Sequence, residues 1–306
     1  MKNQIIIHSA GEQSRIALLE DGELAQLFIQ SEENQRTVGN IHVARVHKVM
    51  GGIKAAFIDM GTPKDAFLHF SDAGDHLDEY VTMLNGKNAI AKHALSDIKN
   101  KEKLANHEKQ ALAGKILKTG QKLLVQIVKE PIGSKGPRIS TDITIAGRFL
   151  VLIPMGDYIA VSKKISNYKE RRRLKNILGD MVPDGFGVIV RTVAQGQEDK
   201  ALEDDLRDVL RKWEKIVDKL ENAKPPALLH RDLDMTESLI RDLFAKNYER
   251  VLVDDPKMYR QLKSYVSQIA PEMAQNVHQY KGKRHIFDQR SEEHTSELQS
   301  QPIIAY

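Results

Sequence analysis

The chain contains no cysteine in 306 residues. That excludes a disulfide framework and any thiolate metal site, and it fits a cytoplasmic setting. No apolar run approaches the ~20 residues needed to cross a bilayer, and no charged-then-apolar leader opens the chain, so secretion and membrane insertion are not expected. The eleven histidines show no ligand spacing on a helix, so no zinc site is expected. Excess charge is also small. Lys+Arg 46 against Asp+Glu 42 leaves +4, which alone says little about partners.

What is present is length enough for two or three domains and an uneven distribution of charge. Residues 87–122 hold nine lysines against only Asp97, Glu102 and Glu108, more net positive charge than the whole chain carries. Such a segment can serve as an electrostatic landing strip for phosphates, giving a salt-dependent and sequence-independent affinity. A solvated helical insertion accounts for it equally well.

The most informative stretch runs from Gly39 to Asp72, GNIHVARVHKVMGGIKAAFIDMGTPKDAFLHFSD. Ile41, Val43 and, after a shift of phase, Val46 and Val49 mark a strand, and Gly51-Gly52 supplies a tight turn into a second strand, Ile53 to Met60. A further turn, Gly61 to Lys64, leads into Ala66 to Phe70. Short strands at this spacing suit a five-stranded OB barrel, whose second and third strands present one face to oligonucleotides. Phe57 and Phe67 stand where such a face needs aromatic rings. A base stacked on an exposed ring is worth about 1–3 kcal/mol whatever its identity, the usual device for holding single strands. An isolated strand Phe more commonly fills a core, so the whole pattern carries this reading rather than either ring.

Around this stretch, Ile5 to His8, Arg15 to Leu19 and Leu24 to Ile29 form three antiparallel strands, with Asp21-Gly22 as a hairpin turn. Lys122 to Lys129 and Arg138 to Ser140 supply the last barrel strands after the Lys-rich insertion, an interruption that loop-closure entropy tolerates. From Gly147 the texture becomes a small α+β unit: Phe149 to Pro154, Tyr158 to Val161, a basic helix around Tyr168 to Leu178, and Gly185 to Thr192. The strongest helix spans Ala201 to Leu220, with Leu202, Leu206, Val209, Leu210, Trp213, Ile216, Val217 and Leu220 on one stripe before Pro225-Pro226. A helix (Thr236 to Ala245), a strand (Val251 to Asp254) and a helix (Lys257 to Ile269) follow.

The closing Gly-x-x-x-Asp-Ala-Phe-Leu-His-x-Ser-Asp resembles the S1-type OB domain. Together with Gly39-Asn40-Ile41, Ala55 to Gly61 and Ala66 to His69, the chain resembles the opening of the ribonuclease E/G family of endoribonucleases. The resemblance implies an α+β multidomain fold, with an S1-type OB barrel and a small 5′-sensor domain inserted into an RNase H-like α/β layer. The boundaries it implies are 1–36 and 236–289 for the layer, 37–141 for the barrel with its insertion at 86–119, and 142–235 for the sensor. In the family, positions matching Phe57 and Phe67 stack on RNA bases. Arg191 and Thr192, in Gly-Phe-Gly-Val-Ile-Val-Arg-Thr, match the pocket that senses a 5′-monophosphate, and Gly147 and Val151 match its other positions, with Arg148 and Phe149 between them. A guanidinium beside a hydroxyl suits a terminal phosphate. Lys129 and Lys135 are candidate RNA-backbone contacts beside the barrel, or ordinary solvated lysines.

The family cleaves RNA with a magnesium ion held by two aspartates in a further domain. No segment here matches that domain, so no catalytic residue and no metal or cofactor site is assigned to this chain, and Mg2+ is expected only for the complete enzyme. Asp254 and Asp255 could suggest paired metal carboxylates. With Pro256 following at once, and only Glu20 or Asp21 available on the early strands, capping of a helix N-terminus explains them better. Asp59 is expected to be structural. The resemblance runs to about Gln289, and Arg290 to Ser300 looks like translated sequencing adapter, which would make 290–306 an artefactual tail.

The expected partner is single-stranded RNA with a 5′-monophosphate, with no membrane partner and a possible homo-oligomer for the complete enzyme. A non-catalytic, ribosome-associated S1-type RNA-binding module is the alternative, and a self-contained nuclease using Asp254, Asp255 and an N-terminal acid is a third reading.

Overall fold

The computed structural model describes residues 3–10, 13–31, 36–85, 106–232, 248–269, 271–282 and 285–287. The expected helix at Thr236 to Ala245, most of the Lys-rich insertion and the tail at 290–306 lie outside the described residues. The chain divides into two compact units, residues 1–36 with 233–306, and residues 37–232.

The first unit begins with three antiparallel strands, β1 (Asn3–Ala10), β2 (Gln13–Glu20) and β3 (Glu23–Ser31). Asp21 and Gly22 both take positive φ in the β2–β3 turn, as the Asp-Gly pair requires.

The second unit opens with β4 (Ile41–Met50), β5 (Ala55–Asp59), β6 (Ala66–His69), α1 (Leu77–Asn85), α2 (Asn106–Ile116), β7 (Lys122–Lys129) and β8 (Arg138–Ser140). Pairing runs β4-β5-β6-β8-β7 and returns from β7 to β4, closing a five-stranded barrel. Its interior is filled by Ala44, Val46, Ala56, Ile58, Ala66, Leu68, Leu123, Val125, Ile127 and Ile139.

The β4–β5 turn is longer than a two-residue hairpin. Gly51–Ile53 form a 3-10 turn, and Lys54 adopts φ 50 to close it, so β5 starts at Ala55 rather than Ile53. Phe70 likewise leaves the strand, because its ring is buried beneath a 3-10 turn at Phe70–Asp72.

After the barrel come β9 (Ile145–Ala146), β10 (Leu150–Pro154), β11 (Ile159–Val161), α3 (Tyr168–Met181), β12 (Phe186–Val190) and α4 (Asp199–Asn222). The sheet order is β11-β12-β10-β9. Every stripe residue of α4 is buried except Leu210, which is partly so. These pack with Leu150, Leu152, Val188 and Val190 into a core that also takes Ile41, Val43 and Leu124 from the outer side of the barrel. That shared core explains the shift of phase in β4. Ile41 and Val43 face the second sheet while Ala44 and Val46 face the barrel interior, so the strand is apolar on both sides. A strand with no sequence signal, β13 (Ala227–His230), pairs antiparallel with the start of β4 and ties the two halves together.

The chain returns to the first unit with β14 (Tyr248–Val253), α5 (Pro256–Ile269) and β15 (Val277–Gln279). Strands β14 and β1 are parallel, as are β14 and β15, giving a mixed sheet β15-β14-β1-β2-β3. Leu262 and Val266 of α5 cover one face over Ile5, Ile7, Val251 and Val253. Ile6, Leu19, Leu252 and Ile286 cluster on the other. Covering both faces is what the uninterrupted Ile5-Ile6-Ile7 run requires.

Candidate nucleic-acid interface

Strands β5 and β6 place Phe57 and Phe67 directly opposite each other. Alternation decides which way they point. Ala56, Ile58, Ala66 and Leu68 are in the barrel core, so the intervening rings lie on the outer face, where both are half-buried. Their centroids are 5.9 Å apart at an interplanar angle of 68°, and the His69 ring lies 6.4 Å beyond Phe67. The rings do not fill the core. They form an aromatic platform on it.

Lys129 ends β7 and is exposed. Lys135 is also exposed but sits in a separate turn that bridges Ile132 and Lys135, with its N–H donating to the Ile132 carbonyl at 3.0 Å. Gly136 allows that turn to lie against the β5–β6 loop, because a side chain there would collide with the Asp65 carbonyl. Lys64 Nζ also donates to the Gly133 carbonyl. Sequence reasoning passed over Arg138. It is the Cα partner of both Phe67 and Lys129, and its guanidinium makes a two-pronged pair with Asp72 at 2.6 and 3.0 Å. Asp59 accepts from the Gly61 N–H at 2.8 Å, a turn-closing role.

The second candidate region lies at the end of β12. Arg191 donates through Nη1 to the Gly147 and Arg148 carbonyls at 3.0 and 3.2 Å. Its own N–H bonds the Phe149 carbonyl at 2.8 Å. Thr192 is exposed, with Oγ1 3.0 Å from Ser162 Oγ. Val151 sits on the neighbouring strand β10, opposite Ile189 and Ala146. The structure thus brings Arg191 and Gly147 into contact, places Thr192 next to them, and keeps Val151 within the same sheet. It adds Arg171, which donates to the Ser162 and Ile165 carbonyls at 2.7 and 3.3 Å. The loop bearing Gly147 is held by Asp205 of α4, whose carboxylate accepts from the N–H groups of Arg148, Phe149 and Leu150 at 2.8, 2.8 and 2.9 Å. Gly147 is required here because a Cβ would strike that carboxylate. Burial pushes the Asp205 carboxyl up, and the three backbone bonds and Lys212 pull it back. An Asp at the edge of a helix's apolar stripe gives no local sign that it caps a distant loop, which is why sequence reasoning missed it.

In the first unit, Asp255 caps α5 by accepting from the Met258 N–H at 2.6 Å, as expected. Asp254 does not cap. It accepts from the Ser9 N–H at 3.0 Å and pairs with His8 Nδ1, joining β14 to β1. The two carboxylates are therefore committed to different structural partners and do not fit a shared metal. Among the described residues no cluster of three or more His, Asp or Glu side chains could hold a metal ion. No helix among them is long and apolar enough to cross a membrane.

The family model "Ribonuclease E/G family" matches residues 144–303, more than half of the chain and past Gln289. Ribonuclease G of Escherichia coli K12 is 31% identical over 288 residues, covering 94% of this chain and 55% of the relative. Ribonuclease G of Haemophilus influenzae is 29% identical over 285 residues, covering 93% of this chain and 54% of the relative. Ribonuclease E of a Nostoc species is 31% identical over 268 residues, covering 87% of this chain and 34% of the relative. The chain spans about half the length of the ribonuclease G proteins it matches.

Proposed function

The chain belongs to the ribonuclease E/G family, and on that premise we propose that it is the RNA-binding and 5′-monophosphate-sensing part of a cytoplasmic, single-strand-specific endoribonuclease acting in RNA processing and decay. The observation that carries this reading is the Phe57–Phe67 pair on the outer face of a closed five-stranded barrel. Two half-buried rings facing away from the core offer unpaired bases a stacking surface, and duplexes, whose bases are already stacked, gain little from it. In this reading the barrel is of the S1 type, and the mixed sheet of the first unit is the RNase H-like layer.

Arg191, Thr192, Gly147 and Val151 form the 5′-end pocket. The guanidinium is anchored on the Gly147 and Arg148 carbonyls, so it meets a phosphate already oriented, and the Thr192 hydroxyl adds a neutral donor. A pocket sized for one phosphate rejects a triphosphate sterically. Lys129 and Lys135 contribute backbone charge. Magnesium-dependent hydrolysis belongs to the complete enzyme. In this chain Asp254 and Asp255 are engaged elsewhere, and no catalytic step is assigned to its residues.

Fluorescence anisotropy with matched 5′-monophosphorylated and 5′-hydroxyl oligoribonucleotides tests this. The chain is expected to prefer the monophosphate, and Arg191→Ala to abolish that preference while leaving 5′-hydroxyl binding unchanged. Replacing Phe57 and Phe67 with Ala should weaken both ligands by about tenfold or more. A preference that survives Arg191→Ala would favour a plain RNA-binding module. Magnesium-dependent cleavage by a nuclease-free preparation would overturn the binding-only assignment.

A further inference from the structure

We propose that Lys48 and Arg138 are additional RNA-contacting residues, completing with Phe57, Phe67 and Lys129 one cross-strand row along which a single strand traverses the barrel. The inference rests on the RNA-binding reading above and specifies the path the RNA takes.

Register defines the row. Lys48 of β4 pairs with Phe57 of β5, Phe57 with Phe67 of β6, Phe67 with Arg138 of β8, and Arg138 with Lys129 of β7. The bulges between Val46 and Lys48 and between Ile127 and Lys129 bring both lysines into this alignment. Lys48 and Lys129 are exposed, and Phe57, Phe67 and Arg138 are half-buried with buried residues on either side of them in sequence. All five therefore lie on the outer surface. Because β7 pairs back to β4, a row with one residue on each of the five strands winds around the closed barrel, and four inter-strand steps of ~4.8 Å give it a contour of about 19 Å.

Charge selects this direction over one along the strands. Along the strands, Asp59 and Asp65 flank the rings on the side of the β5–β6 loop, where phosphates would meet carboxylates, and on the other side Ala55 and His69 bring no Lys or Arg. Moving across the strands, phosphates meet Lys48 on one flank of the rings, and Arg138 and Lys129 on the other. Asp72 holds the Arg138 guanidinium by two hydrogen bonds, which fixes its plane and offsets part of its charge. Arg138 should accordingly contribute directed hydrogen bonds more than net attraction.

Salt dependence distinguishes a phosphate contact from a bystander. Each phosphate neutralised on a single strand contributes about 0.7 to the slope of log affinity against log salt. Binding of a 5′-hydroxyl oligouridylate, which lacks the terminal phosphate, would be measured between 50 and 200 mM salt on the full chain. Lys48→Ala is expected to reduce the slope by about 0.7, equivalent to an affinity loss over that range about 2.6-fold smaller than for the unsubstituted chain. Arg138→Gln should weaken binding with a smaller change in slope. Lys215→Ala, at an exposed position on α4, should leave the slope unchanged. A Lys48→Ala slope equal to that of the unsubstituted chain, with the Phe57 and Phe67 variants still impaired, would overturn the row and leave the aromatic platform standing. Indifference of binding to both Phe substitutions would overturn the platform itself, and the row with it. If Arg138→Gln fails to fold, Lys48→Ala decides alone, since its side chain is exposed.

Discussion

Glu170 shows how a single side chain near the candidate 5′-end pocket is tuned. Its carboxylate takes two hydrogen bonds from Arg173 at 2.9 Å and a third from the Gly196 N–H at 2.8 Å. The Arg173 bonds, followed by the Gly196 N–H, hold it down at about 2 against an ordinary 4.5. A depressed carboxylate adds stability that is fully present above pH 4.5 and is lost as pH falls towards 2. Arg173 is partly exposed, which limits the contribution to about 1 kcal/mol. Glu170→Gln is therefore expected to destabilise by about that amount at pH 7 and to flatten the fall in melting temperature between pH 4.5 and 2, as thermal denaturation across that range would show. An unchanged acid profile would mean that the pair is not coupled to folding. Phe57, Phe67 and Arg191 differ from Glu170 in that their residue types and spacing were readable from the chain. Their orientations were not, since a strand Phe can equally face a core.

At the scale of elements, α4 does two jobs from one side of the helix. Its apolar stripe builds the core beneath the second sheet, and the 4,3,4,3,4 spacing from Leu202 through Leu206, Val209, Trp213 and Ile216 to Leu220 made that stripe legible in advance. Asp205, next to the stripe, satisfies three consecutive backbone N–H groups of the loop that carries Gly147. Asp205→Ala would leave those buried donors without their acceptor. The expected loss is about 3 kcal/mol of stability, from the usual penalty for an unsatisfied buried group, together with reduced preference for a 5′-monophosphate as the loop loosens. Denaturant unfolding and the anisotropy assay would measure the two effects, and loss of stability with full preference would show that the loop is not what positions the pocket. The edge strand β13 was illegible by contrast. Ala227–His230 is too short for a period to emerge and is recognised only by its pairing with β4.

At the scale of the whole molecule, residues 37–232 form one compact unit whose barrel and second sheet share a hydrophobic core. The first unit draws its strands from both ends of the chain, with β1 paired to β14 across more than two hundred residues. A fragment spanning residues 37–232 is expected to unfold in one cooperative transition and to bind oligoribonucleotide like the full chain. A fragment of residues 1–232 should leave β1 to β3 unprotected in hydrogen exchange, because β14 and α5 cover them in the full chain. An unfolded circular-dichroism spectrum for 37–232 would contradict the first expectation.

By itself the sequence determined the local elements: the Asp21-Gly22 hairpin, the β4 to β6 series, the amphipathic α4 and the family to which the motifs belong. These follow from periodicity, turn chemistry and residue type, all of which act over a few neighbours. Tertiary structure alone decided that Phe57 and Phe67 face outward, that Arg191 rests on the Gly147 loop, that Asp254 joins β1 instead of capping a helix, and that Lys48, Arg138 and Lys129 align with the aromatic pair. Those relations depend on strand register and on which face of a strand finds a core. Both are set by contacts between residues far apart in the chain, and no local pattern encodes them.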